Sequence, residues 1–112
     1  MISKANAEHY SWGGDCDGWH LVKRPEMSVI HERMPPSRAE VAHHHVTARQ
    51  LFFVLAGTLT LVLADHTETL SAGQGLEIAP GTRHQAANRG EQAVEFLVVS
   101  HPTTRGDRIE QA

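Results

Sequence analysis

The sequence predicts an all-β protein folded as one domain. Apolar residues recur at period two, or in short runs bounded by Gly, Pro and Asp. No stretch sustains the i, i+3, i+4 spacing of an amphipathic helix over three turns. A length of 112 residues offers enough surface to bury for one core and too little for two.

Nine strands follow from these patterns: Trp19 to Lys23, Met27 to Met34, Glu40 to His45, Gln50 to Leu55, Leu59 to Ala64, Thr67 to Leu70, Leu76 to Ala79, His84 to Asn88 and Val94 to Ser100. Pro35-Pro36-Ser37 cannot continue a central strand, Ala56-Gly57-Thr58 reads as a tight hairpin, and Pro80-Gly81-Thr82 is a turn with φ preset at its proline. So many short strands imply a sandwich or a barrel. Residues 1–18, polar and Gly/Asp-rich around Trp12, read as an N-terminal arm that needs a partner surface to become ordered. Residues 19–101 form the barrel, and Pro102 to Ala112 a mobile tail. Phe52, Phe53, Phe96, Met27 and Met34 are the core candidates by periodicity, and Phe52 shares the parity of Gln50.

Composition excludes several functions. Thirteen acidic against ten basic residues, a net charge of -3, give no electrostatic footprint for nucleic acid or an anionic membrane. The most apolar run, Leu51 to Ala64, is broken by Gly57 and Thr58 and falls short of the roughly 20 residues a membrane helix needs. The start, Met1-Ile-Ser-Lys-Ala-Asn, lacks the apolar stretch of a secretory signal. Cys16 is the one cysteine, so no internal disulfide is available, and cytoplasm is the expected compartment. No basic or histidine neighbour activates Cys16, so it is assigned no role. Arg105-Gly106-Asp107 is read as chance in a polar tail.

Histidine is the compositional anomaly: there are nine, six of them between His31 and His84. On an extended strand His43 and His45 point to one side and His44 to the other, so the pair can grip one ion. Two imidazoles alone are a weak trap, and Gln50 and His84 are the candidates to complete the set. Gln50 lies five residues past His45, the wrong parity for a straight strand, so the chain must bend at Val46-Thr47-Ala48-Arg49.

These residues carry a family resemblance. His43-x-His45, four residues, Gln50, six residues, Gly57 resembles the first motif of the cupin superfamily. Gly73, Ala79, Gly81, His84 and Asn88 match the spacing of the second, with its proline displaced to Pro80. The fifteen residues between Gly57 and Gly73 are similar to the spacing in small single-domain cupins of the cupin_2 type, and the resemblance covers about Met27 to Ser100. It implies a cupin β-barrel, a jelly-roll-like double-stranded β-helix. It also implies one divalent transition metal (Fe, Mn, Ni, Zn or Cu) on His43, His45, Gln50 and His84, and a homodimer joined through the N-terminal arms. Two departures stand out. Ser37 occupies a position where the motif usually has glycine, and Gln50 replaces glutamate. Gln50 is then either a neutral ligand or a residue that bonds a metal-bound water.

With three imidazoles and a neutral amide, an ion's full +2 charge is uncompensated, which favours an anionic, chelating small-molecule ligand. The expected function is a metal-dependent enzyme, a dioxygenase or an isomerase; the alternative is a non-catalytic small-molecule or metal-binding module. Asn88 is read as a structural turn residue. His31 and Glu32 are candidate catalytic residues, since a polar side chain inside a small barrel needs a partner. Alternation sends His31 and Arg33 to one face and Glu32 to the other, and the sequence leaves open which face is the lumen.

Overall fold

In the computed structural model, which describes residues 1–111, the period-two alternation resolves into two antiparallel sheets that face one another. Eleven strands and no helix are found among the described residues: β1 Glu8–Trp12, β2 Cys16–Lys23, β3 Ser28–Met34, β4 His43–His44, β5 Arg49–Ala56, β6 Thr58–Leu63, β7 Thr67–Ser71, β8 Gly75–Ile78, β9 His84–Ala87, β10 Val94–His101 and β11 Ile109–Glu110. The six-stranded sheet runs β1-β2-β3-β10-β5-β8 and the five-stranded sheet β11-β4-β9-β6-β7. Among the described residues no helix is long and apolar enough to cross a membrane.

Neighbours such as β3, β10 and β5 lie far apart in sequence, as the double-stranded β-helix demands. Their inward residues share a register. Met34 lies opposite Val94, Glu32 opposite Phe96, Ile30 opposite Val98 and Ser28 opposite Ser100. Across the next ladder Phe96 meets Val54, Val98 meets Phe52 and Ser100 meets Gln50. The core is therefore apolar at one end, where Met34, Val54, Leu59, Leu61, Val94 and Phe96 are fully buried. Toward the other end it turns polar. Each large buried side chain contributes roughly 1.5–3 kcal/mol relative to exposure, so the apolar end dominates the stability. Two core candidates are misplaced by periodicity alone: Met27 is 40% exposed just before β3, and Phe53 faces outward on β5, opposite Gly75.

Both chain ends differ from their sequence reading. In place of an arm awaiting a partner surface, β1 and β2 form a hairpin that extends the six-stranded sheet through β3 of the same chain. Trp12 packs against the core, and Cys16 is buried in it with its thiol pushed up to about 11 by burial. The segment read as a mobile tail carries β11, which pairs with β4; Ala112 lies outside the described residues. Both elements escaped the sequence reading because a strand of five residues or two shows little periodicity and is held by its neighbours.

Ser37, at the motif's usual glycine, adopts the left-handed conformation at φ 65°. Gly57 is required where it stands. Its φ is +81°, and a Cβ there would meet the Ala93 carbonyl oxygen at 2.7 Å.

Candidate metal centre

Two short strands and one turn bring the imidazoles together. In the β4–β9 pair His43 lies directly opposite His84, and His45 follows where the chain leaves β4. The ligand nitrogens of His43, His45 and His84 lie within 4.8 Å of one another. The three residues are 3%, 5% and 0% exposed, and the His43 and His84 ring centroids are 4.4 Å apart.

The backbone fixes the tautomer of each ring. His43 Nδ1 donates to the Val41 carbonyl at 2.8 Å, His45 Nδ1 to that of Asp107 at 2.6 Å and His84 Nδ1 to that of Thr82 at 2.9 Å. A carbonyl can only accept, so Nδ1 carries the proton and Nε2 keeps its lone pair. His84 Nε2 is buried with no hydrogen-bond partner. Burial also pushes all three rings below their ordinary pKa, His43 to about 3, so they stay neutral. Three neutral imidazoles with lone pairs directed into one space, one of them orphaned, are a donor set that fits a divalent transition metal.

The bend between His45 and Gln50 is built from the C-terminal segment. The Asp107 carboxylate accepts the backbone N–H groups of Val46, Thr47 and Ala48 at 2.8, 3.0 and 2.8 Å, and these bonds hold its carboxyl below the usual range. Asp107 thus sets the turn with its side chain and orients His45 with its carbonyl. No periodicity signals such a role, which depends on 59 residues or more of sequence separation. Beyond the bend Gln50 is 6% exposed. Its Nε2 donates to Ser100 Oγ at 3.1 Å, and its Oε1 is buried without a partner.

His43, His45 and Gln50 line a chamber of about 160 Å³ together with Glu32, Glu40, Phe52, Tyr10 and Arg108. Phe52 sets its ring edge against His84, centroids 5.7 Å apart. Glu32 points inward from β3, whereas His31 does not join the site. It faces the outer surface, where Nε2 lies 2.8 Å from Glu95 Oε1 and the ring packs edge-on against Trp19.

Tyr10 reaches the chamber because Gly18 lets it. Tyr10, Gly18 and Glu32 are successive partners across β1, β2 and β3. A Cβ on Gly18 would collide with the Tyr10 ring. The ring lies over the glycine, and Tyr10 Oη donates to Glu32 Oε1 at 3.4 Å. Burial pushes the Glu32 carboxyl up to about 7 against the opposing effects of Tyr10 and Arg108. Burial and then the Glu32 charge push Glu40 to about 8. Glu40 Oε2 has no hydrogen-bond partner and sits 3.5 Å from His43 Nδ1. Burial also raises the Tyr10 hydroxyl above its ordinary value. Tyr10, Glu40 and Arg108 were not singled out in the sequence, since strand pairing and the C-terminal return alone bring them here. The chamber continues outward into a cavity of about 350 Å³ that shares Tyr10, Glu32, Glu40 and Arg108.

Asn88 serves structure: its Nδ2 donates to the carbonyls of Met34 and Gln92 at 2.9 and 2.8 Å, and its Oδ1 accepts the Gly90 N–H at 2.9 Å.

Comparison with known proteins agrees with this architecture. The family model for the cupin domain matches residues 30–100, whereas no curated protein matches the sequence. Among solved structures, KdgF from Halomonas sp. superposes with a TM-score of 0.85 at 14% identity, covering 95% of this chain and 97% of that one. A predicted oxalate decarboxylase from Thermotoga maritima gives 0.81 at 19% identity, covering 92% and 99%. A sugar phosphate isomerase of the cupin superfamily from Silicibacter pomeroyi gives 0.77 at 20% identity, covering 92% and 76%. Identities this low speak for the fold alone.

Proposed function

The chain belongs to the cupin family, and from that premise we propose that it is a metal-dependent enzyme that moves a proton on a small, anionic, chelating substrate, an isomerase or lyase in class. His43, His45 and His84 hold the ion, and Gln50 offers a neutral fourth donor through Oε1. The observation that carries the reading is a set of unbonded polar atoms around one small chamber: His84 Nε2, Gln50 Oε1 and Glu40 Oε2 are all buried without partners, Gln50 and Glu40 line the chamber with His43 and His45, and the ligand nitrogen of His84 lies within 4.8 Å of those two imidazoles. A folded protein rarely leaves such groups unsatisfied unless something else binds them.

When bound, a divalent ion there supplies Lewis-acid polarisation of a substrate carbonyl or hydroxyl oxygen. The chain's own residues do the rest. Glu40 and Glu32, carboxyls on the chamber wall, are placed to give and take the proton as general acid and base. Tyr10 holds Glu32 in place through its hydroxyl. Arg108, on the chamber wall, meets the substrate's negative charge. The inner volume of about 160 Å³ admits the reacting end of a molecule of few heavy atoms, and the outer cavity takes the remainder. Two structural neighbours described by the small anions sugar phosphate and oxalate accord with this substrate class.

Metal content of tag-free protein tests the first half, beside a His43→Ala, His84→Ala double variant. Stoichiometric metal in the wild type and none in the variant is expected; equal content in both removes the site. The second half is read by ¹H NMR in D₂O with a panel of small hydroxy and oxo acids. Loss of a C–H signal next to a carbonyl is expected with wild type and not with Glu40→Gln. A panel without any exchange by metal-loaded protein overturns the proton-transfer assignment. Two copies of the chain form the expected homodimer in this proposal, with β1 leaving the outer edge of the six-stranded sheet open for pairing; light scattering at a monomer mass would contradict it.

A further inference from the structure

Beside the imidazole chamber a second cavity, of about 470 Å³, opens between the β2–β3 turn and the segment that follows β10. Its frame is fixed. Arg24 and Met27 exchange two backbone hydrogen bonds, of 3.0 and 3.3 Å, that close the turn, and Thr103 N–H donates to the Pro25 carbonyl at 3.0 Å. Three cations line it. Lys23 is engaged with Glu8 at 3.2 Å, whereas Arg24 and Arg105 are exposed and, among the described residues, have no carboxylate partner. Among the described residues no acidic side chain lines the cavity.

The floor of this cavity contains polar atoms with nothing to bond. Ser28, the last inward residue at the polar end of β3, is 5% exposed, and its Oγ has no partner. His20 Nδ1, from β2, is buried and unpartnered as well. Buried donors left unsatisfied cost stability, and here they line the same cavity as two arginines that have no carboxylate partner among the described residues. An anion with several acceptor oxygens would satisfy all of them. Ile30 and Thr104 line both this cavity and the imidazole chamber, so the two spaces adjoin.

We propose that the groove binds the anionic group, phosphate or carboxylate, of a small molecule, with Arg24 and Arg105 on its charge and Ser28 Oγ donating to it, and that the molecule's other end passes Ile30 and Thr104 into the chamber. The link to the chamber rests on the metal-site reading; the anion site does not. Arg105, in a segment whose sequence signals no function, thereby gains a role, and specificity for doubly functional anions is set by the reach between the two spaces.

The test is an amide NMR titration of the ¹⁵N-labelled protein with phenyl phosphate and with benzoate, phenol serving as the neutral control. Saturable shifts at Arg24, Ser28, Thr104 and Arg105 are expected for at least one anion below about 10 mM and not for phenol. Arg24→Ala with Arg105→Ala, both on the surface, should weaken binding about tenfold or more. Ser28→Ala should weaken it while raising Tm, because an unsatisfied hydroxyl is removed. The same titration on His84→Ala separates the two proposals. Unchanged groove shifts in a variant that has lost its metal keep the anion site whatever the fate of the chamber. No saturable shift from either anion, equal shifts with phenol, or shifts confined to His43–His45 overturn the site. Tight binding of a heparin oligosaccharide without response to either small anion reassigns the groove to polyanions and overturns it too.

Discussion

The two ends of the barrel interior are made by the same strands and differ in what those strands carry inward. Along β10 the inward series is Val94, Phe96, Val98, Ser100; along β3, from the same end, it is Met34, Glu32, Ile30, Ser28; along β5 it is Val54, Phe52, Gln50. At the apolar end even the buried amide of Asn88 is fully bonded. At the polar end Ser28 Oγ, Gln50 Oε1, His84 Nε2 and Glu40 Oε2 have no partner. One end is thus optimised for the fold, whereas the other holds polar groups whose desolvation the fold alone does not repay. Unsatisfied groups gathered at one end of one core are those that the proposed ion and its ligand would satisfy.

The sharpest way to break this comparison is at the apolar end. Phe96→Ala should cost about 3–5 kcal/mol in denaturant unfolding, since Phe96 is 0% exposed; a loss below 1 kcal/mol would show that the apolar end does not carry the stability. The pH dependence of the metal-free protein probes the polar end. Its three imidazoles have folded pKa values below the ordinary 6.5, so their contribution is intact above 6.5 and is lost as pH falls, toward about 3 for His43. Glu32 and Glu40 are raised from 4.5, so theirs is intact below 4.5 and is lost as pH rises through about 7 and about 8. Calorimetry in chelator should therefore find maximal stability between 4.5 and 6.5, and Glu40→Gln should flatten the decline on the alkaline side.

Asp107→Ala should lower metal retention about ten- to a hundredfold in competition with a chromogenic chelator, because it frees the bend that positions His45. Retention equal to wild type would mean that the Asp107 carboxylate is dispensable to the centre. Gln50→Met with Ser100→Ala removes an orphaned oxygen and its neighbour together, and should stabilise the metal-free protein by about 1 kcal/mol while weakening metal binding. Ser37→Gly is the smallest expected effect. Relief of the left-handed φ of 65°, offset by a more flexible unfolded chain, should raise stability by about 0.5–1 kcal/mol.

What the sequence by itself determined was local or periodic. Alternation identified the strands from β2 to β10 within a few residues, and it put His43 and His45 on one side because side-chain direction repeats every second residue, whereas His84 is a candidate that only strand pairing sets opposite His43. The parity conflict between His45 and Gln50 required the bend that is found. Only the tertiary structure decided which face of β3 is the lumen, and hence that Glu32 enters the chamber and His31 does not. It also brought Tyr10 over Gly18, set Glu40 beside His43 and returned Asp107 and Arg108 to the site. The reason is physical: a strand's pattern records that one side is buried, whereas the partner it is buried against is chosen by pairing across tens of residues, which leaves no trace in the local alternation.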